Sequence, residues 1–227
     1  IHKRIGLELN LCMKLYKKIK MIKILENINH YYTDKIKIYG ATPKGVDWNG
    51  EESQFVRFEQ LSKIINKDIF SINDIGCGYG KYFEFLQNRF SNFNYYGFDL
   101  SQEMINNAKS LYSNKGGGFM QVDNLKNIEK ADYSVASGIF SVKMEHNESE
   151  WLSYILATLE EMNEKSIKGF SFNMLTKYSE KEYMRDNLYY ADPLFIFDYC
   201  KRNFSKQVAL LHDYGLYEFT ILVKKNI

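Results

Sequence analysis

The sequence predicts an α/β fold: a mostly parallel sheet with helices on both faces, closed at its end by an antiparallel pair of strands. Two observations carry this expectation. Short apolar and aromatic runs alternate with helical segments of ten or so residues, the pattern of β-α units in a parallel sheet. The last two runs, 208–212 and 217–223, are joined at Gly215 with no helix between them, so they must lie antiparallel to each other.

Composition bounds the chain further. At 227 residues it is one domain, or one domain with an appendage. A chain of this length buries roughly 70% of its unfolded surface, so no disulfide or metal is needed to hold a core. Hydrophobic residues make up 45% and charged residues 26%, which excludes a disordered chain. No uninterrupted apolar stretch approaches the roughly 18 residues of a membrane-spanning helix. Lys and Arg number 30 against 28 acids, and a net charge of +2 gives no general attraction to nucleic acid. Cys12, Cys77 and Cys200 are widely spaced and the four histidines lie far apart, so neither a zinc site nor a redox motif is expected. Reduced thiols in the cytoplasm are the simplest reading.

The elements follow in order. Residues 3–25 mix lysine with Ile, Leu and Met and read as a helix whose apolar residues do not fall on one clean face. Such a basic helix rests on an anionic membrane, packs as a surface helix, or is translated sequence upstream of a start at Met21. Residues 29–49 are rich in Tyr and turn signals (Tyr39-Gly40, Pro43, Gly45, Trp48-Asn-Gly50). Together, 1–50 are expected to form an N-terminal extension and 51–227 the main domain. Residues 51–65 show helical spacing, with Phe55, Phe58, Leu61, Ile64 and Ile65 on one side. Residues 69–75 are a strand, followed at once by the turn Gly76-Cys-Gly-Tyr-Gly80 and a helix over 81–90. A second strand covers 95–99, and Ser101 is placed to cap a helix running to 110. After a triple-glycine turn come a third strand, 119–122, ending at Asp123, and a fourth, 131–137. A helix over 151–164, burying Leu152, Ile155, Leu156 and Leu159, leads to a fifth strand, 169–175.

In an open α/β sheet, ligands bind at the carboxyl ends of the strands. Here the first strand ends in Asp74-Ile-Gly76-Cys-Gly78-Tyr-Gly80, whose glycines leave room for a ligand against the backbone. A dinucleotide-binding turn would carry its third glycine at position 81, which is Lys81. Asp99 ends the second strand, 23 residues after Gly76, where a carboxylate can accept hydrogen bonds from both hydroxyls of a ribose. Asp123 ends the third, where it can accept an amino proton from a base. Acids at three consecutive strand ends point to a nucleoside-bearing ligand.

These residues resemble the class I S-adenosylmethionine-dependent methyltransferases, bacterial small-molecule type. The resemblance rests on Ile72-Asn-Asp-Ile-Gly-Cys-Gly-Tyr-Gly80, Tyr96-Gly-Phe-Asp-Leu-Ser101 with Met104, and Val122-Asp123, and covers roughly residues 50–227. It implies a Rossmann-like, seven-stranded sheet with an antiparallel last strand and an N-terminal helical cap. It implies S-adenosylmethionine as cofactor and S-adenosylhomocysteine as product. Carried over position by position, Gly76, Gly78 and Gly80 pass under the methionine part and Asp74 fixes the turn or the cofactor amine. Asp99 holds the ribose, Leu100 and Met104 lie near the adenine, and Asp123 and Asn124 read its edge. Ser137 and Gly138 line the methyl-donor side. The segments Tyr39-Gly, Gly45-Val-Asp-Trp48 and Gln54-Phe-Val-Arg-Phe58 look like a cofactor cap. Arg57 is the expected partner of the cofactor carboxylate, a guanidinium being suited to a carboxylate fork; the alternative is a surface arginine. The Asn/Asp-Pro-Pro-aromatic tetrapeptide of family members acting on nucleic acids and protein amides is missing.

Methyl transfer from a sulfonium needs alignment of donor and acceptor, and a base only for a protonated acceptor. His212, after the sixth strand, is the first candidate base; His146, after the fourth, is the second; Tyr190 is a third catalytic candidate. Residues 176–205 form a long aromatic insertion, either a lid or partly core. Asn173, Asp192 and Tyr214 are the expected acceptor-binding residues. The reading is therefore an enzyme that methylates O or N of a small molecule, such as a sugar or glycan precursor or a secondary metabolite, acting as monomer or homodimer. The alternatives are a Rossmann-type NAD(P)-dependent oxidoreductase and a catalytically inactive cofactor-binding partner subunit.

Overall fold

The computed structural model describes residues 2–48 and 50–225, and the side chains of 19–48 and 50–225. Its centre is a seven-stranded sheet: β1 Ile69–Ile75, β2 Asn92–Asp99, β3 Gly118–Gln121, β4 Ala131–Ala136, β5 Ser166–Leu175, β6 Gln207–Leu211 and β7 Glu218–Lys224. The order across the sheet is β3-β2-β1-β4-β5-β7-β6. Strands β1 to β5 pair in parallel, β7 is antiparallel to both its neighbours, and β6 therefore runs with the first five. This is the Rossmann-like sheet expected, closed by the antiparallel pair.

The helices are α1 His2–Tyr39, α2 Glu51–Ser62, α3 Lys81–Gln87, α4 Gln102–Tyr112, α5 Glu148–Lys165 and α6 Pro193–Asn203. On one face of the sheet an aromatic core joins α2, α3 and α4 to β1, β2 and β3 through Phe58, Phe70, Phe83, Tyr95, Tyr112 and Phe119. On the other, α5 and α6 cover Phe170, Phe172, Phe219 and Ile221. Trp151 and Tyr154 carry the buried face of α5 with Ile155 and Leu159, while Leu152 and Leu156 are half-buried. Between β3 and β4 there is only a 3₁₀ turn, Leu125–Asn127, in place of a covering helix. Ser101 caps α4, its hydroxyl accepting the Met104 N–H at 3.3 Å.

The N-terminal region differs from expectation. The helix expected over 3–25 does not give way to a turn-rich segment; α1 continues to Tyr39 and stops at Gly40, which has φ +65° and donates its N–H to Ile36 O at 2.8 Å. Residues 29–39 contain neither Gly nor Pro, so nothing breaks the helix, and the tyrosines there are not turn residues. Ile24, Ile28, Tyr32 and Ile36 recur every four residues along the side facing the domain. The lysines from Lys3 to Lys18 that make this segment basic, and Cys12, lie outside the described side chains. Helix α1 crosses the carboxyl ends of the strands. Thr33 and Ser101 hydroxyls meet at 2.6 Å at the α4 side, Asn27 donates to His146 at 3.2 Å, and Lys20 pairs with Glu150 on α5. Among the described residues, no helix is long and apolar enough to cross a membrane, and no group of His, Cys, Asp and Glu is placed to hold a metal ion.

Candidate active site

Under α1, at the carboxyl ends of β1, β2 and β4, lies a cavity of about 1050 Å³. It sits where the strand order reverses, between β1 and β4, the place an open α/β sheet reserves for a ligand. Asp74, Gly76 and Gly78 from the first strand end line it, with Asp99, Leu100 and Met104 from the second. Asp123, Asn124, Ser137 and Gly138 complete the expected set from the third and fourth. Gly80 is not on the wall; it packs against Phe119 and Tyr112 behind it.

The turn after β1 is held from below by the chain itself. The N–H groups of Gly76 and Cys77 donate to Phe98 O at 2.8 and 3.0 Å. Asp99 accepts the Gly78 N–H at 2.9 Å through one oxygen and the Ser101 N–H at 2.9 Å through the other. Each oxygen keeps a further lone pair, and Asp99 faces the cavity. Gly76 needs to be glycine twice over: its φ is +74°, and a Cβ would sit 2.2 Å from Ile139 Cγ2.

Two carboxyls meet here. Burial pushes Asp74 up to about 7, with the neighbouring Asp99 charge adding to the rise, against the Tyr95 hydroxyl that donates to it at 2.5 Å. Burial raises Asp99 as well, opposed by the N–H groups it accepts. Because the folded value for Asp74 lies above the 3.8 of a free carboxyl, this group's contribution to stability is fully present below about 3.8. It is lost as pH rises through 7. We expect ligand-free Asp74→Asn protein to lack that loss. The stability gap between variant and wild type should widen by about 2–4 kcal/mol from pH 4 to pH 8. Thermal melts across that range check it; a gap independent of pH would show that Asp74 does not titrate in this window.

The structure separates the remaining candidates from the cavity. Arg57 does not line it: the guanidinium is buried against Glu218, Nε donating at 2.8 and 2.9 Å and Nη2 at 2.5 Å. His212 is exposed beyond β6, its ring beside Tyr178 and Phe219. Although β6 points the right way, it is the edge strand, three strand spacings (~14 Å) from β4. His146 stacks on Trp151 and contacts α1 through Asn27. The Tyr190 hydroxyl accepts the Arg185 N–H at 3.1 Å. Asp192 caps α6, accepting from Leu194 at 3.0 Å, and pairs with Lys177. Tyr214 bonds Thr220 at 3.0 Å. Asn173 stands one step behind the wall, its Oδ1 accepting the Gly138 N–H at 2.8 Å.

Trp48 and Gln54, from the segments that look like a cofactor cap, do line the cavity, and with them come residues the motifs did not single out: Tyr32 and Leu25 from α1, Ile139, and Tyr154 from α5. The four-residue spacing Ile24, Ile28, Tyr32, Ile36 was the available signal for Tyr32. Ser137 adds a feature no sequence pattern shows. Its hydroxyl oxygen is buried on the cavity wall and has no hydrogen-bond partner among the described residues. A buried orphan of this kind is costly unless a ligand supplies the partner.

A glycine turn under a cavity, an acid at the end of the next strand and an antiparallel seventh strand define a nucleoside-cofactor enzyme of the Rossmann-like class. Comparison with known proteins narrows this. A family model described as "Methyltransferase domain" matches residues 72–164. The chain is 51% identical over 165 residues to Rv1506c of Mycobacterium tuberculosis (strain ATCC 25618 / H37Rv), a provisionally named methyltransferase, covering 72% of this chain and 98% of that protein. Among solved structures, magnesium protoporphyrin IX methyltransferase from Synechocystis PCC 6803 with bound S-adenosylhomocysteine superposes with a TM-score of 0.57 at 16% identity, covering 77% of this chain and 84% of the other. Human N-acetylserotonin methyltransferase in complex with S-adenosylmethionine gives 0.58 at 14% identity over 78% of this chain and 53% of its own. The chain belongs to the S-adenosylmethionine-dependent methyltransferase family.

Proposed function

We propose that this enzyme moves the methyl group of S-adenosylmethionine to an oxygen or nitrogen of a small-molecule acceptor and releases S-adenosylhomocysteine. The observation that carries the reading is Asp99, locked to both the glycine turn and α4 through Gly78 and Ser101 while still facing the cavity. The orphaned Ser137 hydroxyl supports the fit, since a bound polar group would satisfy it. In this reading Asp99 takes the ribose hydroxyls and Leu100 and Met104 pack on the adenine. Asp123 and Asn124 meet its edge, Gly76 and Gly78 pass beneath the methionine part, and Asp74 faces the ammonium. Burial keeps Asp74 half-protonated near neutrality; beside a cation it gives up its proton.

When bound, the cofactor would supply an activated methyl on its sulfonium sulfur, and the acceptor's proton would leave to solvent. The chain's share is to bind, orient and exclude water, which α1 and residues 43–48 do by roofing the cavity. We assign residues 1–50 as this cap and 51–227 as the methyltransferase domain. A carbohydrate precursor or secondary metabolite suits a cavity roofed by α1 better than a polymer. Among the described residues Cys77 and Cys200 are free and buried, in keeping with a reducing compartment such as the cytoplasm, and we take the enzyme to act as monomer or homodimer.

Calorimetry with S-adenosylmethionine and S-adenosylhomocysteine, with NAD as control, tests the reading. Micromolar affinity for the sulfur cofactors supports it; no affinity, or preference for NAD, overturns it. Binding with no turnover on any acceptor would return the inactive-subunit alternative.

A further inference from the structure

Arg57 was the expected partner of the cofactor carboxylate, yet its charge is spent elsewhere. The pair it makes with Glu218 is 8% and 1% exposed at the two residues. Asn173, equally buried, donates its Nδ2 to Glu218 Oε2 and accepts the Gly138 N–H with its Oδ1. The guanidinium carbon lies 3.9 Å from the centre of the Trp48 ring. Trp48 in turn covers Gly138 so closely that a Cβ there would fall 2.2 Å from its Cζ2, and Gly138 holds φ +75°. The contacts close into a ring: Arg57, Glu218, Asn173, Gly138, Trp48 and back to Arg57. Two members, Trp48 and Gly138, are wall residues of the cavity; the other three stand behind them.

Stability alone does not account for such a ring. Desolvating an Arg–Glu pair costs about what the pair returns, and apolar replacements of similar volume are often neutral or stabilising. What a fully satisfied buried polar network does supply is a single geometry. We propose that Arg57 is a positioning residue: through Glu218 and Asn173 it presets Trp48 and the Ser137–Gly138 turn as the wall at the methionine end of the cofactor, and does not bind the cofactor carboxylate itself. This rests on the cofactor assignment above. A wall ordered before binding leaves less to be ordered on binding, which strengthens affinity.

The test separates fixing the fold from fixing the wall. Arg57→Met alone leaves Glu218 buried and unpaired, so both Tm and S-adenosylhomocysteine affinity should fall. The double variant Arg57→Met/Glu218→Leu removes both charges and should recover most of the Tm. If the ring positions the wall, calorimetric affinity in the double variant stays at least about tenfold below wild type. Recovery of wild-type affinity together with Tm overturns the proposal. A second readout needs no cofactor. The chain has two tryptophans, so 5-fluorotryptophan labelling gives two ¹⁹F lines, assigned by Trp48→Phe. The double variant should shift or broaden the Trp48 line and leave that of buried Trp151 unchanged. An unmoved Trp48 line overturns the ring. Failure of wild-type protein to bind S-adenosylhomocysteine overturns the cofactor assignment instead, and the ¹⁹F spectra then judge the ring by themselves.

Discussion

Asp99→Ala should lower S-adenosylhomocysteine affinity by about 100-fold, roughly 2.7 kcal/mol, and reduce Tm even without cofactor. The two effects have separate origins. The carboxylate that would hold the ribose disappears, and a charge-assisted bidentate contact is among the stronger polar interactions a site can offer. At the same time the Gly78 and Ser101 N–H groups lose their acceptor. A buried donor left without a partner costs about 1–3 kcal/mol. For a domain of this size each kcal/mol moves Tm by about 2–4 °C, so a fall of roughly 5 °C is expected. Calorimetry and a thermal melt measure both. Asp99→Asn is the informative companion: its carbonyl can keep one N–H bond but not both, so it should fall between the two proteins. Wild-type affinity in Asp99→Ala would remove Asp99 from the site.

Gly76→Ala should be nearly as damaging, by a different route. The left-handed backbone costs an alanine about 1–2 kcal/mol. Its methyl would meet Ile139 at 2.2 Å, and overpacking of that kind costs about 1–3 kcal/mol more. We expect about 3 kcal/mol of lost stability and at least tenfold weaker cofactor binding, because the turn must move out of the cavity floor or push Ile139 into it. Adding Ile139→Ala should relieve the clash but not the backbone strain, recovering part of the stability. Full recovery would mean that the φ value at Gly76 carries no cost.

The central sheet was readable because each signal was local: seven apolar runs, helical spacing between them, and a final pair with no room for a helix. The strand-end residues that line the cavity were readable for the same reason, since a strand end followed by Gly-x-Gly or by a lone acid is contiguous in sequence. What was lost is what only the fold brings together. Arg57 and Glu218 are 161 residues apart, and nothing in Gln54-Phe-Val-Arg-Phe58 announces that a glutamate at the start of β7 will claim the guanidinium. His212 has the right strand end but the wrong strand, a distinction set by the order β5-β7-β6. The length of α1 was misjudged because tyrosine-rich sequence resembles a turn region, although without Gly or Pro it has no means to stop a helix.

Helix α1 also has a history in time. It leaves the ribosome before the elements that seat it, since Ser101 before α4 and Glu150 on α5 are translated later. At about 5–20 residues per second, the stretch from the end of α1 to α5 takes roughly 5–20 s to synthesise. Until α5 is made, the stripe Ile24, Ile28, Tyr32, Ile36 lacks part of the surface it packs on. The nascent chain therefore displays an apolar helical face that a chaperone can hold, and the cavity gains its α1 roof only after elements made later are in place.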